Sequence, residues 1–552
     1  MEYRIKMRYH WWFDNGLVGL YHIARGLAKN YDIHIITEDD GLLFKYDSEE
    51  NLTQLLRASY EHMGNRYYNV SSKAQKEKCD YVAYNKEKDE VYALPKIQPI
   101  QPIASLISGK SYKDSSELYE SLDYGLKERI DDYITKHNKS LYVKKKVLTG
   151  RTYCHDDKLL INPKSNKQNK TCSICGKKVD KLIDMNQLIY ILTASKSASL
   201  SFHSNVSQKS IDKVCWECSY LGRFVYEAFH IKNTFRNKSK QVMLMSLYTS
   251  NFNQLLDVHD HMGGQSTLRE ISDDSFISNI KGQLINYART NSELLWAMIV
   301  DKYQVLRDEC IEDDEERFEE EVLRGYILRP IQIMMLFLSD KGQTLLARDR
   351  IIYNDTSYMF RLIHMLHEQG IELDSLFMDL HESYKENADN LLRSKILSKC
   401  LYKQSVLLHL EQLCFQKVMR QRSINIRNMI EFVKLYELNI REDVMNKEQI
   451  EVAVKLGKQI VLQATESHQK NDSLGILKKI KGDLFTLRKT RTVTDFLKQI
   501  NTLQFRYNIS VNNAISEGVL NDVPFEEFKA YCIMGALNVY NMKQKKGGKE
   551  DE

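Results

Sequence analysis

The sequence predicts a mainly α, multi-domain protein with an N-terminal α+β region, a site built on four cysteines in mid-chain and a C-terminal helical bundle. Three observations lead there. Six prolines and 23 glycines in 552 residues leave few of the breaks that strands and tight turns need, so long helices follow. Hydrophobic residues at 43% and charged residues at 28% match a chain that buries a core, and the length exceeds what one core supports. Four of the ten cysteines stand in two close pairs, Cys172 with Cys175 and Cys215 with Cys218.

Residues 1–135 read as an α+β domain. Asp14, Asn15 and Gly16 mark a helix start with Asp14 as N-cap, because Leu17, Leu20, Ala24, Leu27 and Ala28 then recur at helical spacing. Asp32 to Thr37 is β-branched and partly alternating, which predicts a strand, and Thr53 to Met63 returns to helical periodicity. Tyr81 to Ile107 carries three of the six prolines and reads as strand and loop. Residues 136–225 form a basic loop and the cysteine region. Residues 226–444 read as a central domain of helix after helix, and the acidic run at 308–321 as a solvated face or linker. Residues 445–552 read as a bundle. Ile450, Ala453, Val454, Gly457, Ile460 and Val461 trace one stripe, Leu474 to Leu487 a second, and Phe496, Leu497, Ile500 and Leu503 a third. Thr492 with Asp495 marks one helix start, and Asp522 before Pro524 another.

No stretch approaches the roughly 20 apolar residues of a membrane span, and the first residues lack the apolar run of a secretory signal. A cytoplasmic protein without a membrane partner is expected. In such a compartment paired cysteines bind metal more readily than they form disulfides.

CSIC at 172–175 and CWEC at 215–218 each put two thiols at the ends of a four-residue turn, with Gly176 easing the first. The 39 intervening residues are an excursion that must return the second pair to the first. Four thiolates close the coordination shell, so the expected cofactor is one zinc ion in a structural role.

The candidate catalytic cluster is Asp257, His259, Asp260 and His261 in DVHDH, the basis of an alternative reading as a metal-dependent nuclease. One cluster lacks the further ligands such a site needs, and a polar loop ending in Gly263 and Gly264 is the expectation. His364, His367 and Glu368 in HMLHE lack the zinc-protease spacing and read as a packed helix. With no Walker loop and no Ser, His and Asp constellation, no catalytic residues are assigned.

The net charge of +5 says little, but residues 136–178 hold twelve Lys or Arg against two Asp, Asp156 and Asp157. Lys144, Lys145, Lys146, Arg151, Lys164, Lys167 and Lys170 are candidate phosphate contacts, with Tyr142 and Tyr153 placed to stack on bases. A second basic stripe comprises Lys478, Lys479, Lys481, Arg488, Lys489 and Arg491, with 481, 488 and 489 near one helix face. A zinc-bearing transcription regulator is a third reading, and it requires tight sequence-specific binding by the isolated chain.

WFDNGLVGL at 12–20, the two cysteine pairs, LFTLRKTRTVTDFLKQINTLQ at 484–504 and FEEFKAYCIMGALN at 525–538 together resemble the large subunit of Cascade, the type I CRISPR surveillance complex of antiviral defense, in its type I-B (Cst-like) branch. The resemblance implies a non-catalytic subunit that reads a protospacer-adjacent motif, stabilises the R-loop and displaced strand, and recruits a helicase-nuclease in trans. The implied partners are crRNA, target DNA and the backbone, crRNA-end-binding and small subunits. Asn162, Asn166, Gln168 and Asn169 are candidate motif readers. The C-terminal bundle resembles the small subunit, and an internal start at Met419, Met429 or, preferably, Met445 would make it separately.

Overall fold

The computed structural model describes residues 1–66, 82–86, 89–93, 116–141, 145–149, 159–163, 169–186, 189–192, 212–236, 239–261, 290–309, 318, 330–340, 345–382, 390–441, 445–466, 473–511, 515 and 518–547. The fold is mainly α with small sheets. It divides into two compact units, Met1–Asn279 with Arg329–Asp355, and Ile280–Leu328 with Thr356–Glu552. The expected 1–135 and 136–225 regions thus lie within one unit, and the expected central domain contributes to both.

In the first unit β1 (Glu2–Lys6), β2 (His34–Glu38) and β3 (Gly41–Lys45) form an antiparallel sheet in the order β1-β3-β2. Helix α1 (Trp11–Leu27) starts three residues before the expected N-cap. His10 caps it, its Nδ1 accepting from Trp12 N at 3.2 Å. Asp14, fully buried one turn in, bends its carboxylate back to accept from the backbone N–H of Arg8 (2.5 Å) and His10 (2.8 Å). The helix start is therefore satisfied from inside as well as from its cap. Helix α2 (Glu49–Arg66) adds Leu52, Leu55 and Leu56 to the core beneath α1.

A small sheet of β4 (Val82–Asn85), β5 (Glu90–Ala93), β6 (Ser116–Leu118) and β7 (Lys146–Leu148), ordered β5-β4-β7-β6, packs Val82 and Val147 on Leu126 and Ile130 of α3 (Tyr124–His137). Asp123 caps that helix, accepting from Leu126 N at 2.8 Å.

The expectation of helix after helix over residues 226–444 fails at 230–248 and 332–353. There β12 (His230–Arg236), β13 (Ser239–Tyr248), β14 (Gln332–Asp340) and β15 (Leu345–Tyr353) form a four-stranded antiparallel sheet in chain order. Met243 to Met245 and Ile333 to Leu338 are mostly buried run by run, without alternation and with few β-branched residues. A strand covered on both faces has that pattern, and periodicity alone does not separate it from a buried helix.

The second unit is helical: α6 (Asn291–Glu309), α7 (Ser357–Glu368), α8 (Leu373–Asp379), α9 (Leu391–Leu401), α10 (Leu407–Met419), α11 (Ile426–Ile440), α12 (Lys447–Glu466), α13 (Ser473–Lys489), α14 (Val493–Tyr507) and α15 (Phe525–Gly547). The expected C-terminal stripes are largely buried: Ile450, Ala453, Val454, Gly457, Ile460 and Val461, then Leu477, Ile480, Leu484 and Leu487, then Phe496, Ile500 and Leu503, with Leu497 half-buried, and Thr492 caps α14 by accepting from Asp495 N. Gly457 of α12 and Gly535 of α15 let the two backbones touch. A Cβ at Gly457 would stand 1.8 Å from Cys532 O, and one at Gly535 2.3 Å from Val454 O.

Candidate metal centre and basic surfaces

The first cysteine pair sits on the hairpin of β8 (Lys170–Thr171) and β9 (Lys178–Val179). Cys172 N donates to Lys177 O and Gly176 N to Cys172 O, each at 3.0 Å, with Gly176 at φ +69, a left-handed turn that suits glycine. The second pair follows β11 (Lys213–Val214), which pairs with β10 (Ile183–Asp184), and opens helix α4 (Trp216–Phe224). Cys215 is its N-cap, with Sγ accepting from Cys218 N at 3.5 Å. Ser173 laces the halves together, donating from its N (3.0 Å) and Oγ (2.6 Å) to Lys213 O.

The two pairs therefore converge. All four Sγ atoms lie within 4.8 Å of one another, and Cys175 and Cys215 are 3.7 Å apart. Cys172, Cys215 and Cys218 are buried and Cys175 half-buried. The group can hold a metal ion. The neighbouring sulfurs of Cys175, Cys215 and Cys218 hold the Cys172 thiol well below its ordinary range, whereas burial, then the sulfurs of Cys172, Cys175 and Cys215, push Cys218 far above it.

Helix α1 positions this centre from behind. A Cβ at Gly16 would stand 2.1 Å from Leu221 O, and one at Gly19 2.2 Å from Phe224 O, so α1 rests on the backbone of α4. Trp12, completely buried, donates Nε1–H to Ile189 O at 2.7 Å.

A polar cage that the spacing of cysteines does not reveal surrounds Glu217, the residue inside CWEC. Its carboxylate, 2% exposed, accepts from Arg8 Nη2 (2.5 Å), Tyr3 Oη (2.5 Å) and Lys177 Nζ (2.6 Å). A charged residue inside a cysteine knuckle was the available signal for Glu217 and Lys177. Nothing local marks Tyr3 and Arg8, which lie more than 200 positions away.

DVHDH is helical, not a loop: α5 (Phe252–His261) contains it. His259 falls on the buried face, Nε2 2.7 Å from Asn15 Oδ1, while the Asn15 amide donates to Trp11 O (2.6 Å) and Leu247 O (2.9 Å). Asp257 and Asp260 fall on the exposed face, with Asp260 3.9 Å from His22 Nδ1. The helix separates the would-be ligands, and among the described residues the group with metal-binding geometry is the four-cysteine one. His364 is buried in α7 with Nδ1 3.0 Å from Tyr303 Oη, as a packed helix requires.

Of the first basic stretch, Lys144, Arg151, Lys164 and Lys167 lie outside the described residues, as do Tyr142, Tyr153, Asn166 and Gln168. Lys145 is exposed at φ +54, 3.9 Å from Glu120; Lys146 enters β7, and Lys170 is exposed two residues before Cys172. Asn169 is exposed and Asn162 half-buried.

In the second stripe Lys478, Lys479, Lys489 and Arg491 are exposed. The face expected from residues 481, 488 and 489 is divided. Arg488 turns onto Glu411 with two bonds of 2.7 and 2.9 Å, its guanidinium 4.6 Å from the Phe415 ring centre, and Lys481 reaches Met419 O at 3.4 Å. The exposed row of α13 is instead Lys478, Gly482, Phe485 and Lys489.

Among the described residues no helix is long and apolar enough to cross a membrane. No family model matches the chain, and no curated protein matches it significantly.

Proposed function

We propose that the four cysteines hold one structural zinc ion, and that the chain is a non-catalytic, DNA-binding large subunit of a crRNA-guided complex of the type I-B Cascade kind. The observation that carries this reading is that the segments bearing the resemblance fold against one another within each unit. WFDNGLVGL lies on the helix that starts with the second cysteine pair, through Gly16 on Leu221 and Gly19 on Phe224. In the second unit Phe496 of the 484–504 segment meets Phe525 and Phe528 of the 525–538 segment, with ring centres 5.7 and 6.3 Å apart. That the segments pack on one another within each unit supports reading them together.

Zinc suits the donor set. Sulfurs at about 2.3 Å from a tetrahedral zinc stand roughly 3.8 Å apart, and the Cys175 to Cys215 separation is 3.7 Å. Four thiolates leave no position for water, so the ion would fasten the knuckles and take no part in hydrolysis.

The exposed Lys145, Lys170, Lys478, Lys479, Lys489 and Arg491 supply phosphate-directed charge, and Phe485 in the α13 row offers a face on which an unpaired base can stack. In this reading base pairing with the guide supplies sequence, the chain reads a short motif, and a recruited helicase-nuclease cuts. A cytoplasmic location belongs with it. A separate product begun at Met445 would contain α12 to α15 whole, whereas a start at Met429 would cut into α11.

The test is co-purification of the tagged full chain from its native host, with the bound metal counted. The expected result is one zinc, a small RNA of defined length and companion subunits, and weak, salt-sensitive DNA binding by the chain alone. Recovery of neither RNA nor subunits refutes the assignment. Loss of interference on substituting His259 and Asp260 in a folded chain returns the nuclease reading.

A further inference from the structure

Arg8 stands where an ordinary surface arginine would not. Its side chain is 7% exposed, its Nη2 is bound to a carboxylate that is itself buried, and its Nε–H is buried without a hydrogen-bond acceptor. Burial opposes its charge, yet Glu217 and the nearby sulfurs of Cys218, Cys175 and Cys215 hold the guanidinium above its ordinary range. A second cation, Lys177, reaches the same carboxylate from the other knuckle. Two cations, Arg8 buried and Lys177 with 47% of its side chain exposed, thus share one buried carboxylate, and a buried positive charge without a full share of its partner is costly.

The excess has a purpose if the sulfurs carry charge. Four thiolates around a divalent ion form a doubly negative centre, and burying such a centre requires nearby positive charge or N–H donors. We propose that Arg8 is the counter-ion of the thiolate centre, with Glu217 holding it in position and joining both knuckles to β1 through Lys177 and Tyr3. The inference rests on the zinc reading above and adds to it a specific duty for residues outside the cysteine pairs. The doubly negative centre, Arg8, Lys177 and Glu217 then leave a small residual charge in place of a large one. A link also follows between metal retention and the N-terminal strand, since Tyr3 lies in β1 and Arg8 just after it.

The experiment uses the full chain, purified with its metal, in wild-type form and as Arg8→Met, Arg8→Lys, Glu217→Gln and Tyr3→Phe. Zinc release to a chromogenic chelator is timed, and the thiolate-to-metal absorption band is recorded after cobalt(II) replaces zinc. Loss of an outer partner of a metal ligand commonly costs 10–100-fold in metal affinity. Arg8→Met is expected in that range, with the cobalt band moved to lower energy because the sulfurs lose the charge that steadied their electrons. Arg8→Lys keeps the charge and should keep the band, with release within about threefold of wild type. Glu217→Gln should speed release by releasing Arg8, whereas Tyr3→Phe, which keeps Arg8 on Glu217, should leave the band unmoved. Wild-type release and an unmoved band in Arg8→Met overturn the counter-ion role while zinc stays established. If Arg8→Met does not fold, wild-type release from Glu217→Gln overturns it equally. A wild-type chain that holds no zinc overturns the metal reading itself.

Discussion

Gly16 gives the sharpest test of how the metal centre is positioned. It lies mid-helix on α1, and a Cβ there would stand 2.1 Å from Leu221 O, where ordinary contact begins at 3.4 Å, so the α1 and α4 backbones must part by about 1.3 Å in Gly16→Ala. The obstacle is a helix backbone, which has no rotamer to change. Overpacking of this kind costs about 1–3 kcal/mol and belongs here at the upper end. The better helix propensity of alanine returns about 1 kcal/mol, leaving a net loss of about 2 kcal/mol. For a unit of this size that corresponds to a fall of about 4 °C in its thermal transition. Gly26, on the same helix with nothing within 4 Å of its Cβ position, is the control. Gly26→Ala should gain up to about 1 kcal/mol, roughly 2 °C. Calorimetry of the zinc-loaded full chain should therefore separate the variants by about 6 °C in the same transition. Because α4 begins at Cys215, Gly16→Ala should also lose zinc faster to a chelator. Equal transitions for the two variants refute the argument that close backbone contact sets the position of the second cysteine pair.

The same contrast applies in the second unit, where Gly457→Ala, facing Cys532 O, should lower its thermal transition and Gly482→Ala, facing open space, should raise it slightly. Arg488→Ala leaves the buried Glu411 carboxylate without its partner and should cost about 2 kcal/mol in denaturant unfolding, below the full cost of a buried pair because Arg488 is 36% exposed. Lys489→Ala should change stability by less than about 0.5 kcal/mol, and under the proposed function it should weaken DNA binding and lower the salt slope by about 1. Burial, with Arg393 and Lys417 beside it, pushes His381 down to about 4, so between that value and its ordinary value of 6.5 the unfolded chain binds the extra proton. Stability of the second unit should fall as pH drops through that window, by at most about 1.4 kcal/mol per pH unit, and His381→Gln should flatten the slope measured by urea unfolding at fixed pH. Zinc removal by a strong chelator should lower the transition of the first unit and leave that of the second in place; a common fall in both refutes a role confined to the cysteine region.

Cysteine spacing and helical periodicity made the site and the bundle legible because both depend on local pattern. CSIC and CWEC each define their own turn, and only their meeting is non-local. The stripe from Ile450 to Val461 is a single helix face and was readable for the same reason. Asp14 was misplaced as a cap because its role runs backward: it accepts from Arg8 and His10 from within the helix, and residue type alone does not distinguish a cap from a carboxylate one turn in. The Met-rich β13 and its partner β14 lack alternation because both faces are covered, and their pairing spans more than 80 residues of chain. Tyr3, Arg8 and Glu217 meet through tertiary folding, so no window along the chain contains their relation.

Counting basic residues finds charge but not its assignment, and α13 shows why this matters for a nucleic-acid surface. Lys478, Lys481, Arg488 and Lys489 look equivalent in sequence, yet the helix turns two of them inward. Arg488 is committed to Glu411 in a bidentate pair stacked over Phe415, and drawing it to a phosphate would strand a buried carboxylate. Lys478 and Lys489, exposed on either side of Phe485, incur no such penalty. If α13 grips a strand, affinity should therefore follow the lysines and Phe485, while Arg488 should matter chiefly for keeping α10 and α13 in register. Equal losses of affinity from Arg488→Ala and Lys489→Ala, at a temperature where both variants are fully folded, would show that the exposed row is not the binding face.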